Sequence, residues 1–501
     1  MSSRQLAVTD SNGTVTSLRF TETSFAFETG VAASEIPTQQ ASCWSNLFGS
    51  RSKVTLSEVP IRNVVAATFS SGVVEVSYLV RKGKKQHLYL TQVRGGISDK
   101  DSMLAKEWCD AIIEVAYQGG NPSKVLRVII NPHGGPGRAR KIFTKKVEPI
   151  LRAAGCKLDV TYTTRANHAL ELAQGMKLDY DALVIVSGDG LVHEVMNGFA
   201  KHAQPEKAFC IPIAPIPAGS GNGLSLNLLG LHDGLDPCAA ALNVLKGRPM
   251  KVDLFSFTQG NQKRISFMSQ TIGLMADIDI ETEHLRWMGD LRFVLGYLRG
   301  VVTRRVCKME LSMKVAEQDK SRMVDALHAH RASASKGSPP VLPSFNSLPG
   351  DDKHPDGLGS SDENWVKFDQ PILWMYAGKG PYVSRSLMQF PVSHPDDGLI
   401  DISVQEVVRV LVGRRFMLNA MEGADGGRTY WFNSNHYFKA TAYRAKPLTA
   451  HGVLMVDGEP FPFEEFRIEV LQRLGTLLSP YPHYAVDFKV VDAKGTTRDD
   501  V

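Results

Sequence analysis

The sequence predicts an α/β fold: a doubly wound domain, preceded by a β-rich extension and followed by an antiparallel β-sandwich. Three observations predict it. Buried-strand runs alternate with helix-spaced segments from residue 124, strands alone take over from about residue 252, and short runs of alternating hydrophobicity fill the first 120 residues.

Residues 1–120 contain VTSLRFTETSFAFET, VVAATFS, VVEVSYLVRK and KQHLYLTQV, which alternate as strands do, then MLAKEWCDAIIEVAYQ at helical spacing. No catalytic constellation stands there, so a packed module or a membrane-directing extension is expected. Over 121–251, KVLRVII, LDVTYTT and YDALVIV are strands, with KIFTKKVEPILRAAG and NHALELAQGM as helices between them, which implies a parallel sheet. Residues 252–485 supply VDLFSFT, RISFMSQTI, ILWMYAG, LIDISVQEV, FKATAYRA, VLMVDGE and FRIEVL, an antiparallel domain. Within it, 316–364 is rich in Ser, Pro, Gly and charge, a composition that buries too little surface to order itself. A disordered insertion is expected there, with Ser338-Pro339 as a phosphorylation target, and 486–501 forms a C-terminal tail.

A chain of 501 residues with 43% hydrophobic content can bury substantial cores. The start MSSRQLAVTDSNGT lacks the regions of a signal peptide, and no apolar run spans a bilayer free of charge, so a cytoplasmic protein is expected. The six cysteines show no ligand spacing, which argues against a disulfide framework or a zinc site. A net charge of +5 is too small to imply nucleic acid. The basic runs RKGKKQH (81–87) and RARKIFTKK (138–146) read as solvated faces before they read as binding patches, and leave a weak attraction to anionic membrane open.

Three glycine-rich turns follow strands of the α/β part, where open sheets bind ligands. Asn131-Pro132-His133-Gly134-Gly135-Pro136-Gly137 lets main-chain N–H groups approach an anion and then offers a helix N-terminus. Gly219-Ser220-Gly221-Asn222-Gly223 has the same logic. Ser187-Gly188-Asp189-Gly190 places a carboxylate between two glycines at a strand end. Together they predict a phosphate site, yet GxxxxGK[ST], HRD and DFG are missing and GPGRAR lacks the third glycine of GxGxxG.

In chain order, NPHGGPG, SGDGLVHEVMNG, PAGSGN and VDGE resemble the diacylglycerol kinase catalytic fold. SGDGLVHEVMNG, TRANHALEL and ADIDIETEHLRWMGDLRFVLG resemble its sphingosine kinase branch. The likeness spans residues 124–312 and 371–475, and the long N-terminal part is similar to that of fungal and plant long-chain base kinases. The resemblance implies a nucleotide-binding domain, a lipid-binding domain, and ATP-dependent phosphorylation of the primary hydroxyl of a sphingoid base by an enzyme peripheral to membranes. Mg²⁺ arrives with ATP, held by phosphates and water, with no protein metal site.

On that resemblance Asp189 is the base that takes the hydroxyl proton. Its alternative reading is an N-cap on the helix that follows, and that helix end would depress its pKa. Glu459 supports the base and Asp457 lies near the nucleotide, although Asp457-Gly458-Glu459 also fits a hairpin tip. Nucleotide contacts are implied for Asn131, Gly134, Gly135, Thr163, Ser187, Gly188, Glu194, Gly219 and Ser220, and phosphate contacts for Arg286 and Arg292. Spacing alone makes Glu194 an exposed helix acid, and His133 stands where some relatives carry arginine. Asp279 and Ser269 are implied for the lipid head group. Leu274, Met275, Phe293, Leu418 and Met421 are implied for the tail, where each suits ordinary core equally well. A carboxylate at 279 favours a protonated amine over a neutral acylated lipid. Trp44, Leu47 and Phe48 suit membrane insertion and Cys43 acylation, while a buried turn accounts for them too. The rivals are a ceramide or diacylglycerol kinase of the same fold, an NAD kinase, and a nonenzymatic lipid-binding scaffold. Oligomeric state is not legible in the sequence.

Overall fold

A computed structural model describes residues 4–29, 55–83, 86–281, 306–334, 365–407, 424–486 and 488. The chain divides into two units, of which the first takes Met1–Leu126, Lys141–Asp159 and Asp236–Lys246, and the second takes Arg127–Arg140, Val160–Leu235 and Gly247–Val501.

In the first unit β1 (Gln5–Thr9), β2 (Val15–Phe20), β3 (Ser24–Thr29), β4 (Thr55–Pro60), β5 (Val64–Ser70), β6 (Val73–Val80) and β7 (Tyr89–Gly96) form one antiparallel sheet. Its strand order is β4-β3-β2-β1-β7-β6-β5. Alternation in the sequence becomes alternation of burial, as in β1, where Leu6 and Val8 turn inward. Helix α1 (Ser102–Tyr117) buries Ala105, Trp108, Cys109 and Ile112 at helical spacing, and the Trp108 ring meets Phe20 and Phe25 edge-on. The expected boundary near residue 120 is not where this unit ends. Asp236, 2% exposed, accepts the Leu88 N–H at 2.7 Å, and Lys246 donates to the Val64 carbonyl, so a mid-chain segment belongs to the same body as the extension.

Strands and helices alternate through β8 (Val125–Ile130), α2 (139–153), β9 (Lys157–Tyr162), α3 (His168–Gln174), β10 (Ala182–Ser187), α4 (Asp189–Ala200), β11 (Ile213–Pro217), α5 (Gly223–Asp233) and α6 (Pro237–Lys246). Helix α2 contains a π-helical turn, Phe143–Val147. There follow β12 (Arg248–Gln259), β13 (Gln262–Ser266), β14 (Ser269–Gly273), α7 (Leu274–Glu281), β15 (Met309–Glu317), α8 (Lys320–Ala334), β16 (Val366–Phe368), β17 (Ile372–Gly378), β18 (Ile400–Glu406), β19 (Asn435–Pro447), β20 (Leu454–Val456), β21 (Glu459–Phe461) and β22 (Phe466–Ser479).

The parallel and antiparallel parts are not separate sheets. One fifteen-stranded sheet runs β21-β20-β14-β17-β18-β19-β22-β11-β10-β8-β9, with β12 pairing β13 and β22, and β15 pairing β16 and β19. The C-terminal strand β22 is the join: parallel to β11 at Ile213↔Leu477 and antiparallel to β12 and β19. The strands expected as a sandwich share one apolar cluster that includes Phe255, Met313, Met375, Ile402, Tyr443 and Ile468.

The expected disordered insertion 316–364 begins with ordered structure, which corrects that reading. Met323, Val324 and Leu327 of α8 are at most 5% exposed in a core cluster, and Asp319 accepts the Ser321 and Arg322 N–H groups at the helix start. Three apolar residues on one face suffice to dock a helix whose composition is otherwise polar. Residues 335–364, with Ser338, lie outside the described residues, as do Cys43, Trp44, Leu47 and Phe48.

Candidate active site

Strands β8, β10 and β11 are neighbours in the sheet, and β10 and β11 run parallel to Ser187↔Pro217. Their carboxyl ends therefore bring the three glycine turns together. Asn131 Oδ1 accepts the His133 N–H at 3.0 Å and folds the first turn. Gly135, at φ +54°, lies so close to the third turn that a Cβ would stand 2.7 Å from the Gly219 carbonyl carbon. A Cβ on Gly219 would stand 2.3 Å from Gly188 Cα, and one on Gly188 would stand 2.4 Å from the Gly221 carbonyl oxygen. The glycines are thus required by backbone packed on backbone. Asn222 holds the third turn shut, accepting the Gly219 N–H and donating to its carbonyl oxygen. Asn131 Nδ2 and Ser187 Oγ both flank Gly134, so Asn131, Gly134, Gly135, Ser187, Gly188, Gly219 and Ser220 form one cradle.

Asp189 sits where the second and third turns meet. Helix α4 is anchored by Leu191, Val192, Val195, Met196 and Phe199, all at most 5% exposed in one cluster, at about 1.5–3 kcal/mol for each fully buried side chain. That leaves its first residue, Asp189, fixed and 8% exposed. The carboxylate does not cap α4. It reaches the start of α5, accepting the Gly223 N–H at 2.7 Å and the Leu224 N–H at 3.1 Å, one on each oxygen. The expected depressed pKa is also corrected. Burial pushes Asp189 up to about 6, the two N–H bonds oppose this, and the charge of Asp457 adds to it.

The segment 454–461 is a two-residue hairpin, Val456 paired with Glu459, with positive φ at both Asp457 (+50°) and Gly458 (+85°), as a type I′ turn demands. The hairpin is not idle. Asp457 is 3% exposed and accepts five donors: Ser266 Oγ, the N–H groups of Phe267, Met268 and Ser269, and His193 Nδ1 at 2.8 Å. A carboxylate so occupied holds the turn between β13 and β14, which corrects its assignment as a nucleotide contact. Glu459, exposed, brings Oε1 to 3.3 Å from where a Cβ of Gly190 would stand, beside Asp189.

Other assigned residues stand further out. Thr163, 5% exposed, ends β9 with its N–H on the Ile130 carbonyl. Glu194 is half-buried and accepts the Ala169 N–H at 3.0 Å, so it is engaged at the start of α3 and is not an exposed helix acid. Ser269 is buried against Asp457, Leu274 is 2% exposed in a core cluster, and Met275 packs on that cluster. Asp279 belongs to α7, but its side chain lies outside the described residues, as do Arg286, Arg292, Phe293, Leu418 and Met421. A cleft of about 510 Å³ opens beside α7, lined by Gly273, Asp277, Cys307, Lys308, His451 and Phe463 among others.

Residues 125–257 match the diacylglycerol kinase catalytic domain. Sphingoid long chain base kinase 4 of Schizosaccharomyces pombe is 34% identical over 378 residues, covering 75% of this chain and 79% of its own length. The chain belongs to the sphingoid long chain base kinase family. Sphingosine kinase 1 of Arabidopsis thaliana is 30% identical over 407 residues, covering 75% of this chain and 79% of its own. A crystal structure of a diacylglycerol kinase from Bacillus anthracis str. Sterne aligns with a TM-score of 0.44 at 17% identity, over 71% of this chain and 96% of that one.

In this member of the sphingoid long chain base kinase family, several residues that build the site escape sequence reasoning. Asn222 is a middle residue of a glycine turn, and His193 and Asn197 read as ordinary helix positions. A buried charge cluster behind β17 also went unseen: Lys379 pairs with Asp253 at 3.1 Å and with Asp397, while Lys439 pairs with Asp397 and Asp401 at 2.9 and 3.0 Å. Burial opposes the Lys379 charge, but Asp397 and Asp253 more than offset this and hold it above the ordinary lysine range. The backbone N–H of Lys379 donates to Met268, beside the turn that Asp457 holds, which ties the cluster to the site.

Proposed function

We propose that this chain transfers the γ-phosphoryl group of ATP to the primary hydroxyl of a sphingoid long-chain base, giving the base 1-phosphate and ADP. The observation that carries this reading is a buried Asp189 carboxylate set among three converging glycine turns. The turns and the starts of α4 and α5 offer N–H groups and positive helix ends to phosphate oxygens. Asn131, Gly134, Gly135, Ser187, Gly188, Gly219 and Ser220 line that cradle, with Arg286 and Arg292 assigned to the phosphates by resemblance. Mg²⁺ comes with the nucleotide and neutralises phosphate charge when bound.

Each Asp189 oxygen accepts one N–H and keeps a second lone pair for the substrate hydroxyl. The hydroxyl proton passes to the carboxylate, its oxygen bonds to the γ-phosphorus, and the bond to the β-bridging oxygen breaks with ADP leaving. In a loose transition state the gain comes from aligning the hydroxyl as much as from basicity, and a base near 6 is ionised at neutral pH. Glu459, beside Gly190, supports this centre.

The antiparallel part supplies the lipid side. Asp279 is assigned to the protonated amine, Ser269 to the head group, and Leu274, Met275, Phe293, Leu418 and Met421 to the tail. Asp277, which lines the cleft beside α7, is a second carboxylate in reach of that helix's surroundings. Peripheral docking on a membrane suits an amphiphilic substrate, and among the described residues no helix is long and apolar enough to cross one. The test is a panel of sphingoid bases, ceramide, diacylglycerol and NAD given to purified protein with Mg·ATP. Product from sphingoid bases alone supports the reading; product from ceramide, diacylglycerol or NAD in their place overturns the substrate, and none from any overturns the reaction.

A further inference from the structure

Helix α4 carries three buried polar side chains at intervals of four, Asp189, His193 and Asn197, which are 8%, 9% and 4% exposed. That spacing aligns them on one face, and buried polar groups must be partnered. Each reaches a different element. Asp189 holds the start of α5, His193 meets Asp457 at the tip of the β20–β21 hairpin, and Asn197 pairs with the main chain of Ile265 in β13.

The contacts fix the imidazole tautomer. The Ile265 N–H donates to Asn197 at 2.9 Å, so the amide atom facing it is Oδ1, and Asn197 Nδ2 donates to the Ile265 carbonyl at 2.8 Å. The same Nδ2 faces His193 Nε2 at 3.2 Å. An amide NH₂ only donates, so Nε2 presents its lone pair and the ring proton sits on Nδ1. Nδ1–H then donates to Asp457 Oδ2 at 2.8 Å. Asp457 is the first of two turn residues and Glu459 opens the next strand, so the place of Asp457 decides where the Glu459 side chain starts. Glu459 Oε1 ends beside Gly190, next in sequence to Asp189.

We propose that His193 is a positioning residue for phosphoryl transfer: its Nδ1–H bond to Asp457 fixes the turn that brings the Glu459 carboxylate alongside Asp189 and Gly190. This rests on the reading of Asp189 as the group that receives the hydroxyl proton. The helix therefore sets both carboxylates, one directly and one through its next turn. His193 touches no substrate in this scheme, and its effect belongs in kcat and not in the KM for ATP, because it meets none of the three glycine turns.

Two substitutions separate positioning from packing. The amide of Asn reaches about as far as the imidazole Nδ1 and that of Gln about as far as Nε2. His193→Asn keeps the donor to Asp457 and gives up Asn197; His193→Gln does the reverse. With one buried hydrogen bond lost in each, their melting temperatures should agree to about 3 °C. We expect His193→Asn to keep about a third of the wild-type kcat and His193→Gln to lose about 30- to 100-fold, both with an ATP KM within about twofold of wild type. Glu459→Gln should lose kcat by the same 30- to 100-fold alone and little more when added to His193→Gln, since both remove one arrangement. Equal losses in the two His193 variants, or losses of His193→Gln and Glu459→Gln that multiply, would overturn the proposal while leaving the reaction intact. A folded wild type that phosphorylates no sphingoid base would instead remove the reaction reading, and this inference with it.

Discussion

Replacing Asp189 with Asn separates the two things its carboxylate can do. As a cap for α5 it accepts two N–H groups, and Asn would accept one while turning its NH₂ toward the other, a loss of about 1–2 kcal/mol. As a buried acid raised from its ordinary 3.8 to about 6, it costs roughly 3 kcal/mol to keep ionised at neutral pH. Because the folded value lies above the unfolded one, the stability that protonation contributes is full below about pH 4 and is lost as pH rises through about 6. Asp189→Asn should therefore be as stable as wild type at pH 7.5, or more stable by up to about 2 kcal/mol, and should lack that pH dependence. Its kcat for a sphingoid base should nonetheless fall by about 10²- to 10⁴-fold. Urea unfolding at pH 4 and 7.5, beside steady-state kinetics, measures both. A variant that loses stability and activity in step would reduce Asp189 to a cap, and activity within about tenfold of wild type would remove it as the base.

Gly219→Ala forces a Cβ to within 2.3 Å of Gly188 Cα, so the ATP KM should rise at least about tenfold with about 1–3 kcal/mol of lost stability; an unchanged nucleotide titration would count against the cradle. Asp279→Asn should weaken use of sphingoid bases by about 10- to 100-fold without altering the ATP KM, and a larger effect from Asp277→Asn would move the head-group site to the cleft beside α7. Lys379→Met leaves Asp253 and Asp397 short of a buried counter-charge and should cost about 3–5 kcal/mol in chemical unfolding; a neutral or stabilising outcome would show that the cluster does not hold the domain.

Much of the nucleotide half was legible because its signals are local. Glycines between a strand and a helix, and an acid between two of them, need no distant partner to be read. What escaped depends on tertiary partners. Asp457-Gly458 reads correctly as a hairpin turn, yet nothing in the dipeptide tells that five donors from 193 and 266–269 bury its carboxylate. Asp189 was placed correctly at a helix start, but its pKa went the other way, since burial outweighs both the helix end and two N–H bonds. Helix α8 was lost in a composition average, although Met323, Val324 and Leu327 carry the pattern that docks it. His193 and Asn197 are polar residues on a buried face, and the spacing of four from Asp189 was the signal available to find them.

The most direct test of the claim that Asp189 receives the hydroxyl proton is kcat/KM for a sphingoid base against pH from 4.5 to 8.5 at fixed Mg·ATP. A base that must be ionised, with a value of about 6, gives a plateau near neutrality and a loss approaching tenfold per pH unit below about 6. A rate that stays level down to pH 4.5, in protein shown to remain folded there, would contradict the assignment.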